Sequence, residues 1–242
     1  MPRDLTHQND LDFLSTRFEF DPAGAIRYAS EGRLGPTALV SSFGADSAVL
    51  LHLAAQIDRS MPVILIDTLL LFPETVAYHK ELVAWLGFTD VRRTEPDRVE
   101  LFLSDPDGRL HDSNPDACCS LRKSQPLNRA LAPFASWISG RKRYQSSSRT
   151  RLQVFERDPL TGLTKINPLA HFSPADLNTY MDRHDLPRHP LVAHGYPSIG
   201  CMPCTSAVRP GEHIRAGRWR GQPKTECGIH FAETTQMRGA RR

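Results

Sequence analysis

The chain has 242 residues, 40% hydrophobic and 24% charged, with a formal net charge of +3. This composition excludes a disordered chain or a disulfide-held miniprotein, because a chain of this length buries roughly 70–75% of its unfolded surface without covalent help. No apolar run approaches membrane-spanning length, the start MPRDLTHQNDLDF lacks the basic-then-apolar pattern of a secretory leader, and +3 is too small a bias to indicate nucleic acid, so a cytoplasmic protein with neither membrane nor nucleic acid as partner is expected.

Residues 37–67 predict strand, loop, helix and strand. TALVSSF is apolar and β-prone, ADSAVLLHLAAQI has helical spacing, and PVILID is an uninterrupted apolar run. Such strands alternating with helices specify an α/β fold, a mostly parallel twisted sheet with helices on both faces. PETVAYHKELVAWLG supplies the next helix, opened by Pro73 and closed by Gly87. Helical character returns at CSLRKSQPLNRALA, ASWISG reads as a later strand, and SPADLNTYMDRHD opens with Ser173 and Asp176 at capping spacing. After Asp185 apolar periodicity gives way to Pro, Gly, His, Arg and Cys, so the last third is expected to wrap over the sheet as loops and short helices. A single domain over 1–242 is expected, with a mobile C-terminal tail over about 222–242.

Three motifs carry chemistry. Ser41-Ser42-Phe43-Gly44-Ala45-Asp46-Ser47 lies where the first strand turns into a helix. A glycine there admits close backbone approach, and free N–H groups beside small hydroxyls suit phosphate or sulfate; an ordinary capped turn is the plainer reading. The five cysteines fall as Cys118-Cys119, Cys201-x-x-Cys204 and a solitary Cys227. Four soft donors suit an iron–sulfur cluster or zinc, and the tandem pair favours the cluster, whose separate irons accept adjacent cysteines more readily than one tetrahedral ion does. Glu226-Cys227-Gly228-Ile229-His230 sits in a polar, Gly-flanked segment, so Cys227 is expected to be reachable by solvent; Lys224 would favour its thiolate and Glu226 oppose it. Basic clusters at Gly140-Arg141-Lys142-Arg143, with Arg149 beyond, and at Arg209 to Arg220 are solvated faces unless they meet the anion loop, where Arg forks bind sulfate or phosphate oxygens.

Together these segments resemble the assimilatory adenylyl-sulfate (APS) and phosphoadenylyl-sulfate (PAPS) reductase family over about 37–230. The loop is similar to the S-G-G-x-D-S PP-loop of the adenine-nucleotide α-hydrolase-like superfamily, with Phe43 in place of its first Gly. CCSLRK, IGCMPC and ECGIH in that order resemble the family's cluster-bearing branch. The resemblance implies that Cys118, Cys119, Cys201 and Cys204 ligate a 4Fe-4S cluster and that Cys227 is the catalytic nucleophile. It also implies that Ser42, Gly44 and Ser47 line the phosphosulfate loop, with Lys123, Arg215, Arg218, Arg141 and Arg143 as basic substrate-binding residues. The implied reaction is reduction of APS to sulfite and AMP in sulfate assimilation, through a Cys227 S-sulfonate and with thioredoxin or a similar dithiol protein as reductant. PAPS reduction is the alternative, and a homo-oligomer is compatible with the sequence. A PP-loop iron–sulfur tRNA thiolation enzyme is the nearest rival, opposed by Phe43, the tandem cysteines and ECGIH. A zinc-stabilised nucleic-acid-binding module would contain zinc without acid-labile sulfide.

Overall fold

A computed structural model describes residues 8–222, 224 and 226–230. The chain enters through α1 (Gln8–Arg17) and α2 (Pro22–Ser30), then forms β1 (Thr37–Ser41), α3 (Ser47–Ile57), β2 (Val63–Ile66), α4 (Pro73–Leu86) and β3 (Val91–Thr94). Helices α5 (Arg98–Ser104), α6 (Leu110–Ser113) and α7 (Pro115–Cys119) follow, and α7 continues through a π turn (Ser120–Ser124) into α8 (Gln125–Leu131). Strands β4 (Ser136–Ser139), β5 (Phe155–Arg157) and β6 (Thr164–Ile166) and helix α9 (Pro174–Arg183) complete the longer elements. The sheet order is β3-β2-β1-β4-β6-β5, parallel except for β5, which runs antiparallel to β6.

Alternation along each strand sends side chains to two cores. Leu39, Val63, Leu65, Ile138 and Ile166 pack with α1, α2, α3, α4 and α9, whereas Ala38, Val40, Ile64 and Trp137 pack with Leu127 and Leu131 of α8. Helices therefore cover both faces, as the apolar strands require. Gly87 closes α4 with φ +72, its N–H bonded to Val83, and Ser173 and Asp176 form the reciprocal capping box. Past Asp185, short 3-10 turns at Pro190–His194 and Met202–Cys204 punctuate irregular chain. Of the tail expected over 222–242, residues 223, 225 and 231–242 lie outside the described residues.

One buried group makes stability depend on pH. His189 is 1% exposed; its Nδ1 accepts from the Leu191 N–H, so the ring proton sits on Nε2, 3.0 Å from Thr75 Oγ1. Burial pushes its pKa down to about 4, with Glu74 opposing. Because the folded pKa lies below the unfolded one, the contribution is complete above pH 6.5 and is lost as pH falls toward about 4. Denaturant unfolding near neutral pH and near pH 4 is expected to lose about 3 kcal/mol more in the wild type than in His189→Gln, which keeps an acceptor and cannot take the proton. Equal losses in both would refute this assignment.

Candidate active site

The strand order reverses between β1 and β4, and in a parallel sheet that reversal opens a crevice at the carboxyl ends of the two strands. A cavity of about 200 Å³ lies there, lined by the loop after β1, the loop after β4 and the irregular C-terminal third. Ser42, Gly44 and Ser47 line it, with the Ser47 N–H bonded to the Gly44 carbonyl at the start of α3. Gly44 permits a close approach, since a Cβ there would lie 3.3 Å from the Ile199 carbonyl oxygen. Phe43 adopts φ +48, a left-handed conformation that costs a non-glycine residue roughly 1 kcal/mol. Its ring is fully buried edge-on against His79 at 4.5 Å, which holds the loop in the shape a glycine would adopt freely.

Lys123, Arg141, Arg215 and Arg218 also line the cavity, but Arg143 does not: it turns to Glu19 and the Leu152 carbonyl. Arg141 is held by Glu156 at 2.6 Å. Lys142, in sequence one member of the basic cluster, is buried and pairs at 3.1 Å with Asp46, to which Tyr144 also donates. Burial lowers the Lys142 pKa against the pull of Asp46, and burial likewise brings Arg215 down to about 10 against Glu226. Arg218 donates to the Ile199 carbonyl and stacks over Trp219 at 4.5 Å, and its buried Nε has no partner among the described residues. Arg149 was visible only as one charge in a basic stretch, yet it is 5% exposed and holds Glu226 inside the cavity wall.

The cysteines are assembled by two pieces of backbone. The π turn after α7 is pinned by buried Arg122, which pairs with Asp105 and donates to the Thr68 carbonyl. The Cys201–Cys204 segment is tied to the loop after β2 by a bridge from Cys201 to Leu71 and a bond from the Met202 N–H to the Leu70 carbonyl; Thr68 Oγ1 lies 3.2 Å from Cys201 Sγ. Burial pushes Cys118 up to about 11, and the charges of Cys201 and Cys204 act on it in the same direction. Among the described residues, no group of three or more His, Cys, Asp or Glu converges to hold a metal ion.

Cys227 is docked at the cavity and half-buried, where a reachable tail thiol was expected. Its Sγ lies 3.4 Å from Lys123 Nζ. A hydrogen bond from the Cys119 thiol holds the Cys227 pKa well below the ordinary thiol range; burial opposes this, while Lys123, the Ile229 N–H and Arg218 favour the thiolate. Burial works against the Lys123 charge, but Cys201, Cys227 and Cys119 outweigh it and hold that pKa above the usual lysine range. The two neighbours invoked from sequence are placed otherwise: Lys224 is engaged by Asp116, and the Glu226 carboxylate is neutralised by Arg149. The arrangement presents a thiolate, with an ammonium beside it, to a cavity lined with further cations.

Comparison with known proteins gives a consistent picture. The family model described as "Phosphoadenosine phosphosulfate reductase domain" matches residues 36–207. An adenosine 5'-phosphosulfate reductase of Mesorhizobium japonicum is 54% identical over 195 residues, 81% of this chain and 76% of that one. One from a Chelativorans species is 48% identical over 236 residues, 95% of this chain and 94% of its own. Among solved structures, a phosphoadenylyl-sulfate reductase of Candida auris in a phosphate complex superposes with a TM-score of 0.70 at 27% identity, covering 84% of this chain and 98% of that one.

Proposed function

The chain belongs to the phosphoadenosine phosphosulfate reductase family, and on that premise we propose that it reduces adenosine 5'-phosphosulfate (APS) to sulfite and AMP with Cys227 as nucleophile. The observation that carries this reading is the Cys227 Sγ held 3.4 Å from Lys123 Nζ at a cation-lined crevice beside the loop after β1. Ser42, Gly44 and Ser47 hold the phosphosulfate, and Lys123, Arg215 and Arg218 balance its charge. The Cys227 thiolate attacks the sulfate sulfur, the bond from that sulfur to the bridging oxygen breaks, and AMP leaves with the electron pair. The S-sulfonate on Cys227 is then attacked at its Cys227 sulfur by a thiolate of thioredoxin or a similar dithiol protein. Sulfite departs with the bonding pair, and the second thiol of the donor resolves the mixed disulfide, so the dithiol supplies both electrons.

Cys118, Cys119, Cys201 and Cys204 would hold a 4Fe-4S cluster. Their chemistry fits it: four soft donors from two segments, with Cys118 in the field of Cys201 and Cys204 and with the Lys123 charge compensating thiolates. When bound, the cluster supplies a tie between the two segments and a local charge beside the substrate. With Cys119 as ligand, its hydrogen bond to Cys227 is lost, and Lys123 becomes the main support of the nucleophile's charge.

APS is preferred over PAPS in this reading, because the basic cluster that the sequence offers for a 3'-phosphate is committed elsewhere: Arg141 to Glu156, Lys142 to Asp46 and Arg143 to Glu19. Sulfite release from each nucleotide by anaerobically purified protein tests both statements. A higher kcat/KM with PAPS would overturn the preference, and no sulfite from either would overturn the activity.

Gly200 sets the Arg218 position. A Cβ there would overlap the Arg218 guanidinium, the movable end of a long side chain, so Gly200→Ala should fold normally and displace the cation. Loss of one charge-assisted contact predicts a fall in kcat/KM for APS of about tenfold, with Tm unchanged. Wild-type kinetics in this variant would remove Arg218 from the substrate site.

A further inference from the structure

Glu226 immediately precedes the nucleophile, yet its side chain points into the protein; the residue is 2% exposed. Its carboxylate accepts from Arg149 Nε at 2.7 Å, from Arg149 Nη2, from Ser146 Oγ and, at 3.3 Å, from Ser148 Oγ, and Arg215 Nη2 lies 3.7 Å away. Ser148 and Arg149 belong to the second of two 3-10 turns that follow β4 (Arg143–Gln145 and Ser147–Arg149), and Ser146 joins the two turns, so these three donors sit on one segment leading from β4. Four hydrogen bonds on one carboxylate far exceed what a surface ion pair provides, and Arg149, itself 5% exposed, needs an anion there. The other end of the same short segment is Cys227 at Lys123. Between these two contacts there is one peptide link, so seating the carboxylate sets where the thiol goes.

We propose that Glu226 is a positioning residue, a latch whose carboxylate locks into the Arg149–Ser146–Ser148 nest and thereby places the Cys227 thiol against Lys123 for attack. The proposal rests on Cys227 being the nucleophile. It separates two states that the reaction needs: a latched segment for S-sulfonation, and a released one for a dithiol protein to reach the Cys227 sulfur. Glu226 does not touch the reacting atoms; its effect is on the population of attack-ready thiol.

Single-turnover S-sulfonation of Cys227, followed by intact mass, tests this in the whole protein. In Glu226→Gln the amide keeps the shape but loses the charge-assisted bonds, so at saturating APS the rate should fall about 30-fold. APS affinity should stay within about threefold of wild type. Hydrogen exchange in the 226–230 peptide should speed up, and Glu226→Asp should recover part of the rate. Reduction of pre-formed S-sulfonate by dithiothreitol should not slow. A wild-type sulfonation rate in Glu226→Gln, or a loss confined to APS affinity, overturns the latch. If that variant does not fold, Ser146→Ala takes its place: removing one donor should slow sulfonation about threefold, and an unchanged rate overturns the proposal. Absence of any Cys227 sulfonate in the wild type would instead remove the functional reading, while the exchange measurement still reports on the latch.

Discussion

Replacement of Cys227 by serine is expected to lower sulfite release from APS by at least about a thousandfold while leaving APS binding and iron content intact. The site is built to favour a thiolate: Lys123 Nζ stands 3.4 Å from the sulfur, and Lys123, the Ile229 N–H and Arg218 all support the charge of Cys227. A serine hydroxyl in the same place stays protonated, and the Lys123 beside it is an ammonium, which donates protons and cannot act as a base. Binding survives because the loop after β1 and Arg218 do not depend on the sulfur. The same logic gives a positive result in the wild type. Mixed with APS and no thiol, it should stall with one sulfonate on Cys227 and AMP released in matching amount, and sulfite should appear only when a dithiol is added. A sulfonate on another cysteine, or normal turnover by Cys227→Ser, would show that the nucleophile is misassigned.

Cys201→Ser is expected to have the largest effect on the protein itself. Cys201 is 6% exposed, bridges to Leu71 and lies beside Thr68, so it joins the irregular C-terminal third to the sheet. The apolar packing near that junction is slight: Phe72, Leu191 and Ile199 form a small cluster of their own, apart from the two sheet cores. Where packing is thin, ligation contributes folding energy directly. The variant should lose iron and acid-labile sulfide and about 3 kcal/mol of stability, roughly 10 °C in Tm for a chain of this size. Serine preserves the size of the side chain, so unchanged metal content with unchanged melting would count against ligation by Cys201. Protein purified without oxygen should be brown, with iron and sulfide in near-equal amounts; colourless, fully active protein would dismiss the cluster.

The strands and helices that hold the anion loop were readable from residue order alone. TALVS is apolar at its centre and β-prone, VILI is an uninterrupted apolar run and SAVLLHLAAQI carries helical spacing; together they announce a parallel sheet covered on two sides, because such strands are stable when both faces are buried. The cysteine pairs stood out as candidate ligands for a different reason, because soft side chains are rare enough that their grouping carries chemical information, whereas ECGIH gained its meaning from the family resemblance. Shorter elements were not announced. β3 is an edge strand with its two central residues exposed, and β5 and β6 have three residues each, too few for a period to emerge; their identity comes from the neighbours they pair with.

The charges of the site belong to the tertiary structure. Arg141, Lys142, Arg143 and Arg149 look alike in a basic stretch, and the fold gives each a different partner: Glu156, Asp46, Glu19 and Glu226. Glu226 reads from sequence as a hindrance to the neighbouring thiolate, yet three-dimensional packing turns its carboxylate to Arg149 and leaves Cys227 to Lys123, 104 positions away in the chain. Residue order determined which chemical groups this protein possesses and the sheet that carries them. Which cation meets which anion was decided only when the reversal between β1 and β4 brought distant loops together, because electrostatic pairing depends on distance through space and on burial, neither of which has a period along the chain.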